Sequence, residues 1–388
     1  MPAGAAPDAT APDAPLGWLD RLFPPTRAGA VRLALAVHVA VLALATVVGV
    51  DAQGTEQGVD LWRRWDTTHY VRIADAGYPG RDEEGGPLMS AFLPLYPLAI
   101  RVLALATGSF VVAALLVSAG ATLVASACLF EIVARDADPG TARRAVAWLN
   151  LYPTSFFLVA GYTEALFLAL VLASLLAARD DRFGVAAIAA ACAGAARITG
   201  VALLPALALE TWLVTRERRD RRFARRLAVV AAVAPIGIAA YLAMNLAVYG
   251  HAFEFLRHQA RHWQHVPSTP WTELEHAWST IANDPATVER AVLVDAPAAT
   301  ILILAATAGF AALRLRASYA VYALGGAWLA TAVTWNISAP RYALAVWPLF
   351  WMLAVLLRRR WLAVPLAALS GALLAAIAIR FMNDLWVF

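Results

Sequence analysis

The sequence predicts an all-α, polytopic membrane protein, and three observations predict it. Hydrophobic residues fill 61% of the 388 positions and charged residues only 15%, against about 45–50% and about 25% in soluble domains. Apolar runs long enough to cross hydrocarbon at 1.5 Å per residue recur along nearly the whole chain. Between them lie compact arginine clusters, and the chain contains no lysine at all.

Taken in order, residues 1–27 are rich in Ala, Pro and Asp and read as a disordered cytoplasmic tail. The run 28–50 is longer than the core of a cleaved signal peptide and reads as a retained span. Further spans are expected at 110–134, 144–160, 165–178, 183–196, 198–215, 227–249, 297–313, 319–336, 343–357 and 361–380, about eleven in all. They form a single membrane domain over 28–380, with a short tail at 381–388. With the N-terminus cytoplasmic, the clusters RDADPGTARR, RDDR, RERRDRRFARR, RLR and RRR all fall inside, as the positive-inside rule asks. FLPLYPLAIRVLALA (92–106) is read as a helix lying at the outer interface, because counting it as a span would turn RFARR outward.

Composition also excludes several functions. Cys128 and Cys192 sit in apolar runs, so neither a disulfide framework nor a cysteine zinc site is available. The net charge of +4 comes from arginines between spans, where topology and anionic lipid account for it. Nucleic acid is not an expected partner.

The outer loops, 51–91 and 250–296 with short turns near 161–164, 196–199 and 337–342, hold the chemistry. LWRRWDTTHYVRIADAGYP reads as a short helix starting near Asp66 and stopped by Gly77. It gathers Asp66, His69, Tyr70, Trp62 and Trp65 at the membrane surface. Asp66 is either a helix N-cap or a catalytic carboxylate beside a lipid-borne head group. Arg197 and Arg341 either snorkel at helix ends or hold a phosphate. Glu164 either stabilises a helix start or joins the site with Tyr162. In HAFEFLRHQARHWQH, Glu254, His258, His262 and His265 share a helical face. The HExxH arrangement is missing, and Phe253, Phe255, Leu256 and Trp263 make an interfacial helix the simpler reading. No metal is expected, and His258 and His262 are assigned to head-group contact.

Four ordered blocks carry a resemblance: the Trp65-Asp66 loop with its His69-Tyr70 and Ile73-Ala74…Gly77-Tyr78 run, AFLPLYPLAIR (91–101), PTSFFLVAGYTEALFLAL (153–170) and AARITGVALLPAL (195–207). They resemble the PIG-V family of mannosyltransferases; the last 180 or so residues match it only loosely, apart from PRYALAVWP (340–348). The resemblance implies a GT-C-like architecture and transfer of a hexose from a polyprenyl phosphate to an acceptor hydroxyl on the outer face, with inversion. It makes Asp66 the general base; Trp65, His69, Tyr70, Glu164, Arg197 and Arg341 are assigned to substrate contact, the arginines because a phosphate leaving group needs positive charge, and with enough arginine no metal or other cofactor is required. Expected partners are membrane lipid, the lipid-linked donor, and a glycolipid, glycan or protein acceptor. The lack of lysine and the abundance of Ala and Arg point to a bacterial branch and a plasma-membrane location. A lipid-linked sugar flippase or a non-catalytic envelope assembly subunit are the competing readings. The first would need polar residues at mid-membrane, whereas the charge lies at the outer edge.

Overall fold

A computed structural model describes residues 21–388; the first twenty residues of the expected tail lie outside them. The described chain is helical throughout, apart from one isolated bridge between Pro267 and Val333. Its main helices are α1 (Arg27–Gln53), α2 (Asp66–Ala76), α3 (Leu95–Thr107), α4 (Phe110–Asp136), α5 (Pro139–Leu151), α6 (Glu164–Arg179), α7 (Phe183–Ala196), α8 (Leu203–Glu217), α9 (Phe223–Val233), α10 (Ile236–Tyr249), α11 (Glu254–His262), α12 (Pro270–Asn283), α13 (Ala296–Arg314), α14 (Ala317–Thr331), α15 (Pro348–Leu356) and α16 (Arg360–Met382).

The local chemistry explains the ends. Thr26 accepts the Gly29 N–H at the start of α1, and Gly54, at φ 84°, closes it. Ser109 caps α4 through the Val112 N–H. Asp138 caps α5, with a proline in the first turn, where the missing N–H costs nothing.

Six helical segments are long and apolar enough to cross a membrane: Arg27–Gln53, Phe110–Asp136, Ile198–Glu217, Phe223–Tyr249, Val288–Arg314 and Arg360–Met382. A seventh results if Ala339–Ala345 and Pro348–Leu356, bent by 91°, are counted together. The protein is therefore a multi-pass membrane protein, and this count is smaller than the expected eleven. The other expected spans form α5, α6, α7 and α14, of 13, 16, 14 and 15 residues. At 1.5 Å per residue these reach only about 20–24 Å. Burial compensates in part: Phe167, Leu168, Val171, Leu172 and Leu175 of α6 are at most 1% exposed and pack against protein. The stretch 92–106 forms α3, also too short to cross. Tyr96 anchors it by donating to the Ala114 carbonyl of α4 at 3.0 Å, while Leu98, Val102 and Leu105 stay exposed.

Small residues let the bundle close. A Cβ on Gly237 would come within 1.7 Å of the Ala191 carbonyl oxygen, so α10 crosses α7 backbone against backbone.

Ion pairs bring the arginine-rich turns to one end. Arg135 meets Asp180 at 2.6 Å and Arg179 meets Asp136 at 2.7 Å. Arg226 bridges Asp181 and Asp220 at 2.5 and 2.8 Å. Arg316 holds the buried Glu210 at 2.8 Å and Glu217 at 2.6 Å, and Arg144 donates to the Ala354 carbonyl. The starts of α5, α9 and α14 and the ends of α4, α6, α8 and α15 thus share one face of the bundle. The turns bearing Glu164, Arg197 and Arg341 are at the other ends of those helices.

Candidate active site

Asp66 begins α2 immediately after Trp65, whose φ of 47° and ψ of −129° turn the chain sharply into the helix. Trp65, not Asp66, occupies the N-cap position, and no side chain caps this helix. The N-cap reading of Asp66 therefore fails: its carboxylate accepts from Arg341 Nη1 at 2.8 Å through Oδ2 instead. Thr67 fixes the helix against the 159–163 turn by donating to the Gly161 carbonyl at 3.2 Å. A Cβ on Gly161 would stand 2.7 Å from Thr67 Cγ2, so glycine there permits the close approach.

Glu164, 3% exposed, opens α6. Its Oε1 accepts from Arg197 Nη1 at 2.5 Å and lies 3.4 Å from Arg341 Nε, while Oε2 has no partner. Arg197 also donates to Thr163 Oγ1 at 2.9 Å. The result is a chain of alternating charge, Asp66–Arg341–Glu164–Arg197, assembled from four separate turns.

Aromatic rings hold the cations. Arg341 lies over Phe157, Tyr162 and Tyr342, 5.3–5.5 Å from each ring centre, and Arg197 lies 5.3 Å from the same Tyr342 ring. Such contacts favour a guanidinium over an ammonium. Neither Thr163, Tyr342 nor Phe157 stood out in the sequence. Tyr342 directly follows Arg341 and Thr163 precedes Glu164, so adjacency to a charged residue at a helix start was the available signal.

The other expected site residues divide into two groups. His69 packs against Phe92 with the rings tilted and their centres 4.8 Å apart; burial lowers its pKa, Asp66 opposing and Arg72 adding to the effect. Tyr70 is buried, edge-on to Phe92 and Tyr96, and feels the charges of Asp66 and Glu164. These two border the cluster. Trp65 faces the other way, edge-on to Trp386 at 5.5 Å, over a polar cavity of about 760 Å³ that Arg63, Arg64 and Thr68 also line. The 381–388 tail closes that side, where Asp384 pairs with Arg64.

His258 and His262 are not brought to the cluster. Their rings stack on each other at 4.1 Å in α11, and among the described residues no hydrogen bond or ion pair joins them to Asp66, Glu164, Arg197 or Arg341. Helical spacing aligned these rings correctly, but where α11 docks depends on Phe255 inserting against Leu93 and Tyr241. Among the described residues, no group of three or more His, Cys, Asp or Glu side chains is arranged to hold a metal ion.

An ion-paired carboxylate flanked by two arginines held over aromatic rings can accept a proton and stabilise an anionic group. Residues 40–213 match the family described as Mannosyltransferase (PIG-V). The protein is accordingly a membrane glycosyltransferase. Comparison with curated proteins gives no match. Asp66, Glu164 and Arg197 fall within the matched residues and Arg341 outside them.

Proposed function

We propose that the protein transfers a hexose, mannose on the family's pattern, from a polyprenyl phosphate to a hydroxyl of a glycolipid, glycan or protein acceptor at the outer face of the plasma membrane. The observation that carries this reading is the contact of Arg341 with both Asp66 and Glu164. Asp66 Oδ2 is occupied by Arg341, and no side-chain bond to Oδ1 is found among the described residues. Asp66 takes the acceptor proton as the hydroxyl oxygen attacks the anomeric carbon on the face opposite the phosphate, which inverts the centre. The bond from the anomeric carbon to the phosphate oxygen breaks, and the electron pair leaves with the phosphate.

Charge supports this division of labour. The four side chains sum to zero, so a phosphodiester donor brings the site to −1. After transfer the phosphate carries about one more negative charge, and protonated Asp66 carries one fewer. The site total is unchanged, and the developing charge lies beside guanidinium donors placed before the reaction begins. Arg341 and Arg197 receive the phosphate, and Glu164 Oε1 spaces them. No metal or organic cofactor is needed.

The positive-inside rule puts the arginine-rich end in the cytoplasm and the site outside, with the N-terminus cytoplasmic. Counting α5, α6, α7, α14 and α15 as traversals restores the eleven crossings of a GT-C-like arrangement. The enzyme family leaves the flippase and assembly-subunit readings without support.

The test is transfer from a polyprenyl-phosphate mannose in reconstituted membranes. Asp66→Asn should lower turnover by about 10²–10⁴-fold, the range of general acid–base catalysis, with folding retained. Turnover near the wild-type rate would overturn the base assignment.

A further inference from the structure

A second cavity, of about 480 Å³, adjoins the turn that leads into Arg341. It is bounded by α12, by the start of the 288–314 span and by residues 334–336. Its wall is divided. Leu293, Val294, Pro297 and Ile301 form an apolar side, and Gln264, Glu273, His276, Thr334 and Asn336 form a polar one. Ile301 is 4% exposed, whereas Leu302 beside it is 59% exposed. The same helix therefore walls the cavity on one face and offers the opposite face to lipid. A π-helical turn, Ala291–Asp295, runs through the apolar wall; such turns are rare and are frequently found at functional sites.

Asn336 is the feature that points to a ligand. It is 4% exposed, and neither its Nδ2 nor its Oδ1 has a hydrogen-bond partner. A buried amide in this condition is costly and calls for a reason. One donor and one acceptor side by side match two neighbouring hydroxyls of a sugar ring. No arginine lines this cavity, and the Glu273 carboxylate stands in its wall facing the backbone N–H groups of Trp335 and Asn336. A phosphate would be repelled there, and a neutral polyol would not.

We propose that this cavity binds a neutral hexose head group carried on an apolar chain, with the hydroxyls on the Asn336 amide and the chain along Leu293, Val294 and Ile301. The hexose is that of a glycolipid acceptor, because in the lipid-linked donor a phosphate would lie between hexose and chain, and identifying it as a reactant rests on the proposed transferase function. Binding itself does not depend on turnover.

The test uses octyl mannoside carrying a diazirine at the chain end, with the full-length protein in nanodiscs. Photolabel should map to peptides covering 288–301. Octyl mannoside should displace it at roughly tenfold lower concentration than methyl mannoside or octanol. Asn336→Leu should weaken octyl mannoside binding about tenfold while raising the unfolding temperature, because an unpartnered amide is removed; a purely structural asparagine would lower it. Competition by an uncharged diacylglycerol hexoside supports the proposal. Its failure to compete, or equal competition by a polyprenyl-phosphate mannose, overturns it. So does label spread over the lipid-exposed helix faces, or unchanged affinity in Asn336→Leu. In Asp66→Asn the label should persist, so loss of binding and loss of chemistry are read separately.

Discussion

Arg341 donates to the Asp66 carboxylate at 2.8 Å across 275 positions of sequence. It ties the start of α2 to a segment beyond the part of the chain that matches the family. The same guanidinium reaches Glu164, so one side chain organises the site.

Arg341 should not tolerate lysine. An ammonium keeps the charge but cannot reach Asp66 and Glu164 together or lie flat on Tyr162 and Tyr342. Arg341→Lys is expected to reduce turnover by about 10²-fold and Arg341→Ala by about 10³-fold, in the range for loss of a donor to a developing anion. Steady-state rates in proteoliposomes decide this; a lysine variant of wild-type rate would remove Arg341 from the site.

Glu164→Gln should separate binding from chemistry. Losing this carboxylate shifts the four-residue cluster from neutral to +1, so an anionic donor should bind more tightly. We expect the donor KM to fall roughly tenfold, about 1.4 kcal/mol, and kcat to fall with it because the two arginines lose their spacer. An increase in donor KM would contradict the positioning role.

Topology can be checked directly. Reporter fusions after Arg226 and at Thr280 should report opposite sides of the membrane, since Arg226 belongs to the ion-paired end and Thr280 to α12 on the far side of the 223–249 span. The same side for both would undo the assignment of the site to the outer face.

His258 should make stability depend on acidity. Burial, then the charges of His262 and Arg261, push its imidazole down to about 4 from 6.5. The folded state favours the neutral ring, so its contribution is present above about pH 6.5 and is lost as pH falls toward 4. His258→Phe should flatten the drop in unfolding temperature between pH 7 and pH 4.5. An unaltered drop would assign the acid sensitivity to other groups.

The bounds of α2 show what local sequence can decide. Asp66 at the start and Gly77 at the stop were legible, because a helix end is set by the few residues that satisfy or release its terminal backbone groups, and Gly77 takes φ 84°. The arginine clusters were legible for a similar reason: charge between apolar runs has to leave the hydrocarbon on one side or the other. The number of spans was less so. Composition marks an apolar stretch but not whether lipid or protein surrounds it, and α6 meets mainly protein.

The site itself divides along the same line. Sequence alone determined that this is a helical membrane protein, and it singled out Asp66, Glu164, Arg197 and Arg341 as charges beside apolar runs they cannot enter unpaired, each with a structural alternative left open. Only the tertiary structure decided how they pair. Glu164 takes both arginines on one oxygen, Tyr342 lies under both, His258 and His262 dock elsewhere, and Asn336 is left buried without a partner. Those outcomes depend on the packing of helices far apart in the chain. The Asp66–Arg341 contact is set by where α2 and the 339–342 turn are held, and no local pattern encodes that distance.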